Sequence, residues 1–331
     1  MISSCRFSAI KVATLLIVSV VITAFPVSLS AESDFLLIDR DGDLLCDPPN
    51  DTSKFIAPDI LYYSISPEAD KKDSRSRHER VMAAIAEKTG KQVEWLQVSS
   101  SIEEIQMMRD GKLHIAGFST GTTGFAVNLA GYIPVAVKAR KDEMAGYHLQ
   151  IIVNSKSPFH SLKDLAGKTI AHTSPTSNSG NIAPRALLPD FGLSADKTYN
   201  VVYSGKHKAS ILGVSDGTYP AAAVASSVLK RMISSGTVAG EDIRILYTSP
   251  KFPTLSMGYV YNLKPLLAEQ IKAALLDYSL PAELAKTFKG ITGYMEISYK
   301  KDWEIIRHIA DYSGYTYTEA GLQKMLARKK K

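Results

Sequence analysis

Residues 168–189, KTIAHTSPTSNSGNIAPRALLP, combine a short strand, a polar loop and the start of a helix. Lys168 to His172 has the apolar character of a buried strand, and Gly180 lies where the next helix begins. In open α/β sheets, ligands bind at the carboxyl ends of the strands, where such loops lie. The stretch therefore predicts an α/β fold and marks a candidate binding loop at 174–180, called here the second-lobe loop.

The second-lobe loop is rich in hydrogen-bond donors. It carries four hydroxyl side chains and one carboxamide, on Ser174, Thr176, Ser177, Asn178 and Ser179. Free N–H groups and the helix dipole favour negative charge at a helix N-terminus. One residue is enough to cap a helix, so a loop with five polar side chains favours an oxyanion site over a simple cap.

A similar loop occurs earlier in the chain. Residues 119–124, STGTTG, follow a predicted strand and precede a predicted helix. Ser119, Thr120 and Thr122 are candidate donors in this first-lobe loop, although a capped helix with turn glycines explains the local sequence equally well. His207, after Gly205-Lys206, is a further candidate donor, and His172 is a weaker one.

Strands and helices alternate from residue 55 onward, in two cycles followed by a return segment. Regular βα alternation predicts mostly parallel sheets flanked by helices. We therefore predict two lobes, formed by residues 55–146 with 249–331 and by residues 147–248, with crossings near 147 and 248. The predicted strands are 60–65, 92–98, 113–118, 149–153, 168–172, 200–203, 221–225, 243–247 and 257–261.

The composition fits a globular chain with a substantial core. The 331 residues are 45% hydrophobic and 22% charged, enough for two lobes and unlike disordered, collagen-like or coiled-coil sequences. The basic C-terminal tail, residues 328–331, is predicted to be a solvated end and not a nucleic-acid patch.

The N-terminus has the pattern of a secretory signal peptide. Arg6 and Lys11 precede the apolar run VATLLIVSVVITAFPV at 12–27, and small residues follow it. We predict a signal peptide over 1–31, although a membrane anchor is the alternative. Removal of Arg6 and Lys11 lowers the formal charge from +6 to +4. Cys46 is then the one cysteine left, which excludes an internal disulfide and a cysteine zinc site.

Residues 32–54 are acidic and have little periodicity, so we predict a solvated N-terminal extension. The run Asp39-Arg40-Asp41-Gly42-Asp43 is similar to a calcium loop. However, its glycine falls at the fourth position instead of the sixth, and Asn50 stands where a bidentate Glu is required. The sequence thus predicts no metal and no cofactor.

These motifs together resemble a known family, the periplasmic phosphate/phosphite/phosphonate-binding components of ABC transporters. The resemblance covers most of residues 58–290 and centres on SPTSNSGNIAPRALLP at 174–189, which is similar to the family's Asp-Pro-x-Ser-Thr-Ser-Gly segment. By position, it implies that Ser177, Asn178 and Ser179 hold the oxygens of the ligand. It also implies a type II clamshell fold.

The resemblance extends to three other segments. HIAGFSTGTTGFAVNLAG at 114–131 places Phe118 near the ligand, and YSGKHKASILGV at 203–214 makes His207 the ligand histidine. The first strand, LYYSIS at 61–66, supplies a further ligand side chain in the family. The candidates there are Tyr62, Tyr63, Ser64 and Ser66. Of these, we predict Tyr63 and Ser64 as site residues.

Two departures from the family pattern bear on the ligand. Lys208 and Ala225 stand where the family often has acidic residues, which hold the amine of aminoalkylphosphonates. The resemblance therefore favours a ligand without an amine, such as phosphite, methylphosphonate or phosphate. A sulfonate or a vitamin precursor on the same fold is an alternative.

The predicted function is capture of a small phosphorus oxyanion in the periplasm for an ABC permease, by a monomer that closes about a hinge. A ligand-sensing partner of a membrane receptor is the alternative. The sequence lacks a Walker loop, an HExxH motif and a Gly-x-Ser-x-Gly elbow, so we predict no enzyme activity.

Overall fold

The chain folds into two sheets flanked by helices, as predicted for an α/β protein. The description rests on a computed structural model. It covers residues 38–65, 74–141, 143–174, 177–281, 283, 285, 290–314 and 316–327.

The strands include all nine that the sequence predicts and five that it does not. The five additional strands are β4, β5, β6, β12 and β14. The bounds are β1 Ile60–Ile65, β2 Gln92–Trp95, β3 Ile115–Ser119, β4 Tyr132–Arg140, β5 Glu143–Met144, β6 Gly146–Tyr147, β7 Leu149–Asn154, β8 Thr169–His172, β9 Asn200–Tyr203, β10 Ala221–Ala225, β11 Ile243–Thr248, β12 Phe252–Pro253, β13 Leu255–Val260 and β14 Gly293–Glu296.

Helices follow most of these strands and cover the sheets. A π turn at Asn178–Ile182 leads directly into α4. The helices of the described residues are α1 Ser74–Thr89, α2 Ser101–Arg109, α3 Thr123–Ala130, α4 Ala183–Leu187, α5 His207–Ser215, α6 Ser226–Ser234, α7 Pro265–Asp277, α8 Tyr299–Asp302, α9 Glu304–Tyr312 and α10 Glu319–Ala327.

Both sheets contain parallel and antiparallel strand pairs. The predicted mostly parallel sheets are therefore found only in part. In the first sheet the order is β14-β4-β13-β3-β1-β2, with β5 paired to β4, and in the second it is β11-β7-β10-β8-β9. Strands β2, β1 and β3 are parallel, as are β10, β8 and β9. Strands β4, β7, β11, β13 and β14 pair antiparallel. Four of these antiparallel strands, β4, β7, β11 and β13, lie next in sequence to the crossings between the sheets.

A short ribbon lies at those crossings. β6 leads from the first sheet into the second and β12 leads back, and the two pair antiparallel with Tyr147 opposite Phe252 and Gly146 opposite Pro253. The rings of Tyr147 and Phe252 meet edge to face, with centroids 5.5 Å apart. The chain thus passes between the sheets through two adjacent, hydrogen-bonded segments, called here the hinge ribbon.

A β-bulge explains how Pro134 fits into β4. Proline lacks an N–H donor and is found in sheets at edges or bulges. Gly258 of β13 pairs with Pro134, and Met257 pairs with Ala136, so Val135 is the extra residue. A Cβ atom on Gly258 would lie 2.0 Å from the carbonyl oxygen of Ile133, so this close approach requires glycine.

The segment 38–54 is largely exposed, as predicted for a solvated extension, but part of it packs against the main core. Cys46 is buried, and Leu44 and Leu45 pack against the main core. The backbone N–H of Asp47 donates to the carbonyl of Ile38 at 2.7 Å, which closes the acidic stretch into a loop. Apolar side chains within the acidic run account for this packing, because burying them is favourable.

Some predictions fall outside the described residues. These are the signal peptide over 1–31, residues 32–37 of the predicted N-terminal extension, Ser66, Thr176 and the tail at 328–331. Within the described residues, no helix combines the length and apolar character needed to cross a membrane.

Candidate functional site

Ser177 is positioned as the cap of the helical turn in the second-lobe loop. Its backbone is extended, and its Oγ accepts the N–H of Gly180 at 3.1 Å. A serine hydroxyl carries one hydrogen and two lone pairs, so accepting from Gly180 leaves its own hydrogen for another acceptor. Serine is a preferred N-cap residue, so Ser177 forms the helix cap that the sequence offered as the alternative to an oxyanion site.

His207 begins α5 and points one ring nitrogen toward Ser177. Its Nδ1 accepts the backbone N–H of Ala225 at 3.2 Å. A neutral imidazole whose Nδ1 is an acceptor carries its hydrogen on Nε2. That Nε2 lies 3.5 Å from Ser177 Oγ, so the two candidate donors converge on one place at the start of the helical turn.

Burial keeps His207 neutral. Desolvation lowers its pKa to about 4, and the nearby charge of Arg231 acts in the same direction. At neutral pH the ring is therefore an uncharged Nε2–H donor. Lys206 and Lys208, its neighbours in sequence, are exposed.

A buried polar network lies beneath the second-lobe loop. His172 Nδ1 is 2.8 Å from Asn181 Oδ1, and its Nε2 is 3.3 Å from the hydroxyl of Tyr199. The amide oxygen of Asn181 also accepts from Arg185 Nε at 3.0 Å and from the Tyr203 hydroxyl at 3.2 Å. His172, the weaker of the two candidate histidines, thus supports the helical turn from below.

His172 predicts acid sensitivity of the fold. Burial lowers its pKa from 6.5 to about 4. Below pH 6.5 the unfolded chain binds a proton that the folded chain refuses, so the stability from this residue is lost as pH falls from 6.5 to 4. The loss is about 3 kcal/mol at pH 4. Thermal unfolding measured from pH 7 to pH 4 should show this decline.

The matched variant separates titration from hydrogen bonding. His172→Asn keeps a donor to Asn181 and removes the titrating ring, so its stability should fall less steeply with acid than that of the wild type. His308→Asn, at an exposed position on α9, controls for removal of an imidazole. Equal pH slopes for the wild type and His172→Asn would contradict the assignment.

The first-lobe loop uses its hydroxyl groups internally. Ser119 Oγ and Thr122 Oγ1 lie 2.9 Å apart. Thr120 Oγ1 lies within hydrogen-bonding distance of the carbonyls of Pro253 and Thr254, at 2.6 and 2.8 Å. The indole N–H of Trp303 donates to the Thr120 carbonyl at 3.1 Å. This loop is therefore fastened to the hinge ribbon and to the C-terminal segment.

The remaining predicted site residues of the first lobe lie in its core. Phe118, Tyr63 and Ser64 are each 0% exposed. Phe118 packs edge-on against Tyr132 with centroids 4.9 Å apart, and the Tyr63 hydroxyl lies 2.6 Å from His78 Nδ1. Ser64 Oγ has no hydrogen-bond partner among the described residues. Their placement near the ligand stays a prediction, and the structure gives Phe118 and Tyr63 a packing role.

Tyr147, which is not among the residues predicted from the sequence, lies on the hinge ribbon next to the second-lobe loop. Asn178 Nδ2 donates to its hydroxyl at 3.2 Å, so this predicted ligand residue already has a protein partner. Burial raises the pKa of the Tyr147 phenol, although hydrogen bonds with Asn178 and Thr120 oppose that rise. No motif marks Tyr147, because a hinge residue belongs to neither strand–loop–helix unit.

The acidic loop at 39–43 places three carboxylates together. Oxygen atoms of Asp39, Asp41 and Asp43 lie within 4.8 Å of one another. They accept backbone N–H groups of their own loop, such as Gly42 N to Asp39 Oδ1 at 2.8 Å and Leu45 N to Asp43 Oδ1 at 2.8 Å. These bonds account for the clustering without a further ligand.

The fold and the candidate site together define a class of protein. Two helix-flanked sheets are joined by a two-stranded hinge ribbon, and the second sheet carries a donor-rich loop at the carboxyl end of β8. Ligands of α/β sheets bind at such ends. The chain has the fold of the type II periplasmic binding proteins, as the sequence predicts.

Comparison with known proteins identifies the family. The family profile described as "ABC transporter, phosphonate, periplasmic substrate-binding protein" matches residues 63–303. The chain belongs to this family of periplasmic substrate-binding proteins, which are transport components. Membership confirms the resemblance found in the sequence, and the receptor-partner alternative is not favoured.

Individual relatives are distant in sequence but similar over most of the chain. The phosphate-import protein PhnD of Mycolicibacterium smegmatis is 23% identical over 294 residues, covering 81% of this chain and 90% of the relative. The structure of XAC2383 from Xanthomonas citri bound to chloride has a TM-score of 0.59 at 16% identity, covering 78% of this chain and all of that one. PhnD1 from Prochlorococcus marinus in complex with methylphosphonate has a TM-score of 0.54 at 16% identity, covering 78% and 99%.

Proposed function

We propose that this protein captures a small phosphorus oxyanion in the periplasm and delivers it to an ABC permease. One observation carries the proposal. The Ser177 hydroxyl and the neutral His207 Nε2–H converge, 3.5 Å apart, at the start of the helical turn Asn178–Ile182. Two hydrogen-bond donors at that point provide a place for an anionic oxygen.

The site recognises charge mainly with neutral donors. Hydrogen bonds to a charged group are about twice as strong as those between neutral groups. The first backbone N–H groups of a helical segment lack intrahelical partners and add donors for an anion. Ser179 is buried within the same turn and completes the predicted set of Ser177, Asn178, Ser179 and His207.

Closure about the hinge ribbon would bring the first lobe over the ligand. The proposed lobes are residues 55–146 with 249–331 and residues 147–248. In this scheme the second-lobe loop binds first, and the first-lobe loop closes over the anion. Ser119, Thr120 and Thr122 are the proposed first-lobe contacts, with Phe118, Tyr63 and Ser64 behind them.

Two residues favour a ligand without an amine. Lys208 is exposed on α5. Ala225 is buried at the end of β10, where its backbone N–H donates to His207 Nδ1. Neither position offers the carboxylate that the family resemblance associates with an amine. Of the similar proteins, one is a phosphate-import protein and another is solved in complex with methylphosphonate. We therefore propose phosphite, methylphosphonate or phosphate as the ligand.

Export, oligomeric state and lack of catalysis are also part of the proposal. The chain is proposed to be exported by the N-terminal signal sequence at 1–31 and to act as a monomer. It is proposed to have no catalytic activity and no nucleic-acid partner. Its membership of a family of substrate-binding transport components supports this view.

Calorimetry tests the function directly. Protein secreted to the periplasm should bind one of phosphite, methylphosphonate or phosphate more tightly than 2-aminoethylphosphonate. Ser177→Ala removes one hydrogen bond to a charged oxygen and should weaken binding about 10- to 100-fold. His207→Asn retains an acceptor for the Ala225 N–H but lacks the Nε2–H, so a similar loss is expected.

Lys208→Ala provides the control, since its exposed side chain lies outside the proposed donor set. It should bind within about threefold of the wild type, because surface charges contribute little. Absence of heat with all four anions would refute the phosphorus-oxyanion proposal and leave the fold and family unaffected.

A further inference from the structure

Tyr147 occupies a position between the two candidate loops. It lies on β6 of the hinge ribbon, where its ring packs edge-on against Phe252 of the neighbouring strand. Its pairing with Phe252 fixes the direction of its side chain, because a strand residue points to one face only. The phenol is therefore held at the junction through which the chain passes between the sheets.

The second-lobe loop is attached to this phenol. The carboxamide of Asn178 donates to the Tyr147 hydroxyl at 3.2 Å. Asn178 is the first residue of the helical turn, directly after Ser177, which caps it. A hydrogen bond at Asn178 consequently fixes the turn that carries the proposed anion donors relative to the hinge ribbon.

The first-lobe loop is attached at the same place. The Thr120 hydroxyl donates to the carbonyls of Pro253 and Thr254, at 2.6 and 2.8 Å. Pro253 lies on β12, opposite Gly146, the neighbour of Tyr147 on β6. The two loops are thus each fastened to the hinge ribbon, the second-lobe loop through Tyr147 on one strand and the first-lobe loop through Thr120 on the other.

We propose that Tyr147 is a positioning residue that holds the second-lobe loop to the hinge ribbon, where Thr120 also holds the first-lobe loop, and so populates the closed arrangement before ligand binds. The side-chain hydrogens of Asn178 and Thr120 then serve closure, and any contact of these two residues with the anion is made by their backbone N–H groups. The inference rests on the proposed two-lobe closure but not on the identity of the ligand.

The link should raise affinity without touching the ligand. When a binding-competent state is fractionally populated, the apparent dissociation constant is the intrinsic one divided by that fraction. Loss of one neutral hydrogen bond should reduce the ratio of closed to open protein about two- to tenfold. The apparent affinity should fall by at most the same factor.

Small-angle X-ray scattering of the full, ligand-free protein tests this inference. Tyr147→Phe removes only the hydroxyl group, and Thr120→Val removes the hydroxyl on the opposite side of the link. Each variant should have a larger radius of gyration than the wild type before ligand is added, and saturating methylphosphonate should return each to the wild-type value. Tyr312→Phe, at an exposed tyrosine of α9, is the control and should match the wild type throughout.

An unchanged radius of gyration in both ligand-free variants would overturn the inference. If Tyr147→Phe weakens methylphosphonate binding while its ligand-free radius stays at the wild-type value, Tyr147 contacts the ligand directly and the linking role is wrong. Thermal unfolding checks that each variant is folded. If Tyr147→Phe does not fold, the radius of gyration of Thr120→Val alone tests the inference. Failure of every anion to bind would refute the proposed ligand, yet the ligand-free comparison would still test the link.

Discussion

Gly180→Ala is expected to weaken binding of the proposed anion by about 100-fold or more, because it displaces the loop that holds two charge-assisted hydrogen bonds. A Cβ atom at this position would lie 2.0 Å from Thr173 Oγ1 and 2.7 Å from both Thr173 Cγ2 and Ser177 Oγ. Contacts this short require atoms to move, and Ser177 is one of the two proposed side-chain donors.

The surroundings of Gly180 cannot give way cheaply. Rotation of Thr173 about its Cα–Cβ bond cannot clear both branches of the side chain, since each lies too close to the new Cβ. The Thr173 backbone is held at both ends, since its N–H donates to the Gly180 carbonyl at 2.9 Å and its carbonyl accepts from Gly205 at 2.7 Å. The helical turn must therefore shift away from the strand.

Calorimetry of Gly180→Ala with the tightest-binding anion measures the effect. Gly240→Ala is the matched control, because a Cβ there would meet its nearest atom, Ile233 Cγ2, at an ordinary 3.5 Å. Thr173→Ala in the Gly180→Ala background removes the worst contacts and should recover part of the affinity. Thr173 Oγ1 has no hydrogen-bond partner among the described residues, so its removal alone should matter little. Wild-type affinity in Gly180→Ala would contradict the placement of the site.

Gly258→Ala is expected to destabilise the fold by about 3 kcal/mol or more, within the range of severe single substitutions. The new Cβ would lie 2.0 Å from the Ile133 carbonyl oxygen and 2.9 Å from Pro134 Cα. Both are backbone atoms of β4, and β4 is held on its other side by β14. The strands would have to separate at the bulge.

The melting temperature measures this loss. For a chain of this size, 3 kcal/mol corresponds to a decrease of about 5 °C. Gly240→Ala again serves as the control and should melt close to the wild type. A Gly258→Ala protein that melts within 2 °C of the wild type would show that the strands tolerate the extra atom.

The sequence predicts the second-lobe loop well because the loop combines three independent local signals. An apolar strand ends at His172, polar capping residues follow, and Gly180 begins the helix. Each signal depends on near neighbours in the chain, so the strand, the cap at Ser177 and the helical turn all appear in the structure.

The missed strands depend on distant partners. β4 contains Pro134, which argues against a strand unless a bulge accommodates it, and the bulge forms only because Gly258 lies opposite. The two-residue strands β6 and β12 exist only as a pair. Their pairing joins residues about a hundred positions apart, and no local pattern signals it.

Side-chain direction limits what the sequence says about the site. Phe118 and Ser119 are adjacent at the end of β3, yet Phe118 is fully buried and Ser119 is partly exposed. The sequence alone cannot tell which of them faces the cleft. The same holds for Asn178, whose carboxamide turns to Tyr147, a residue that sequence analysis had no reason to select.

Trp303 gives the chain an optical property of its own. It is fully buried, and its indole N–H is bonded to the carbonyl of Thr120, within the first-lobe loop. Indole emission responds to the electric field and hydrogen bonding around the ring. Movement of the Thr120 carbonyl therefore changes the wavelength and intensity of the Trp303 emission. The chain has only one other tryptophan, Trp95, which is partly exposed. Intrinsic fluorescence of a Trp95→Phe protein therefore reports on the first-lobe loop in real time, without a label and without knowledge of the ligand.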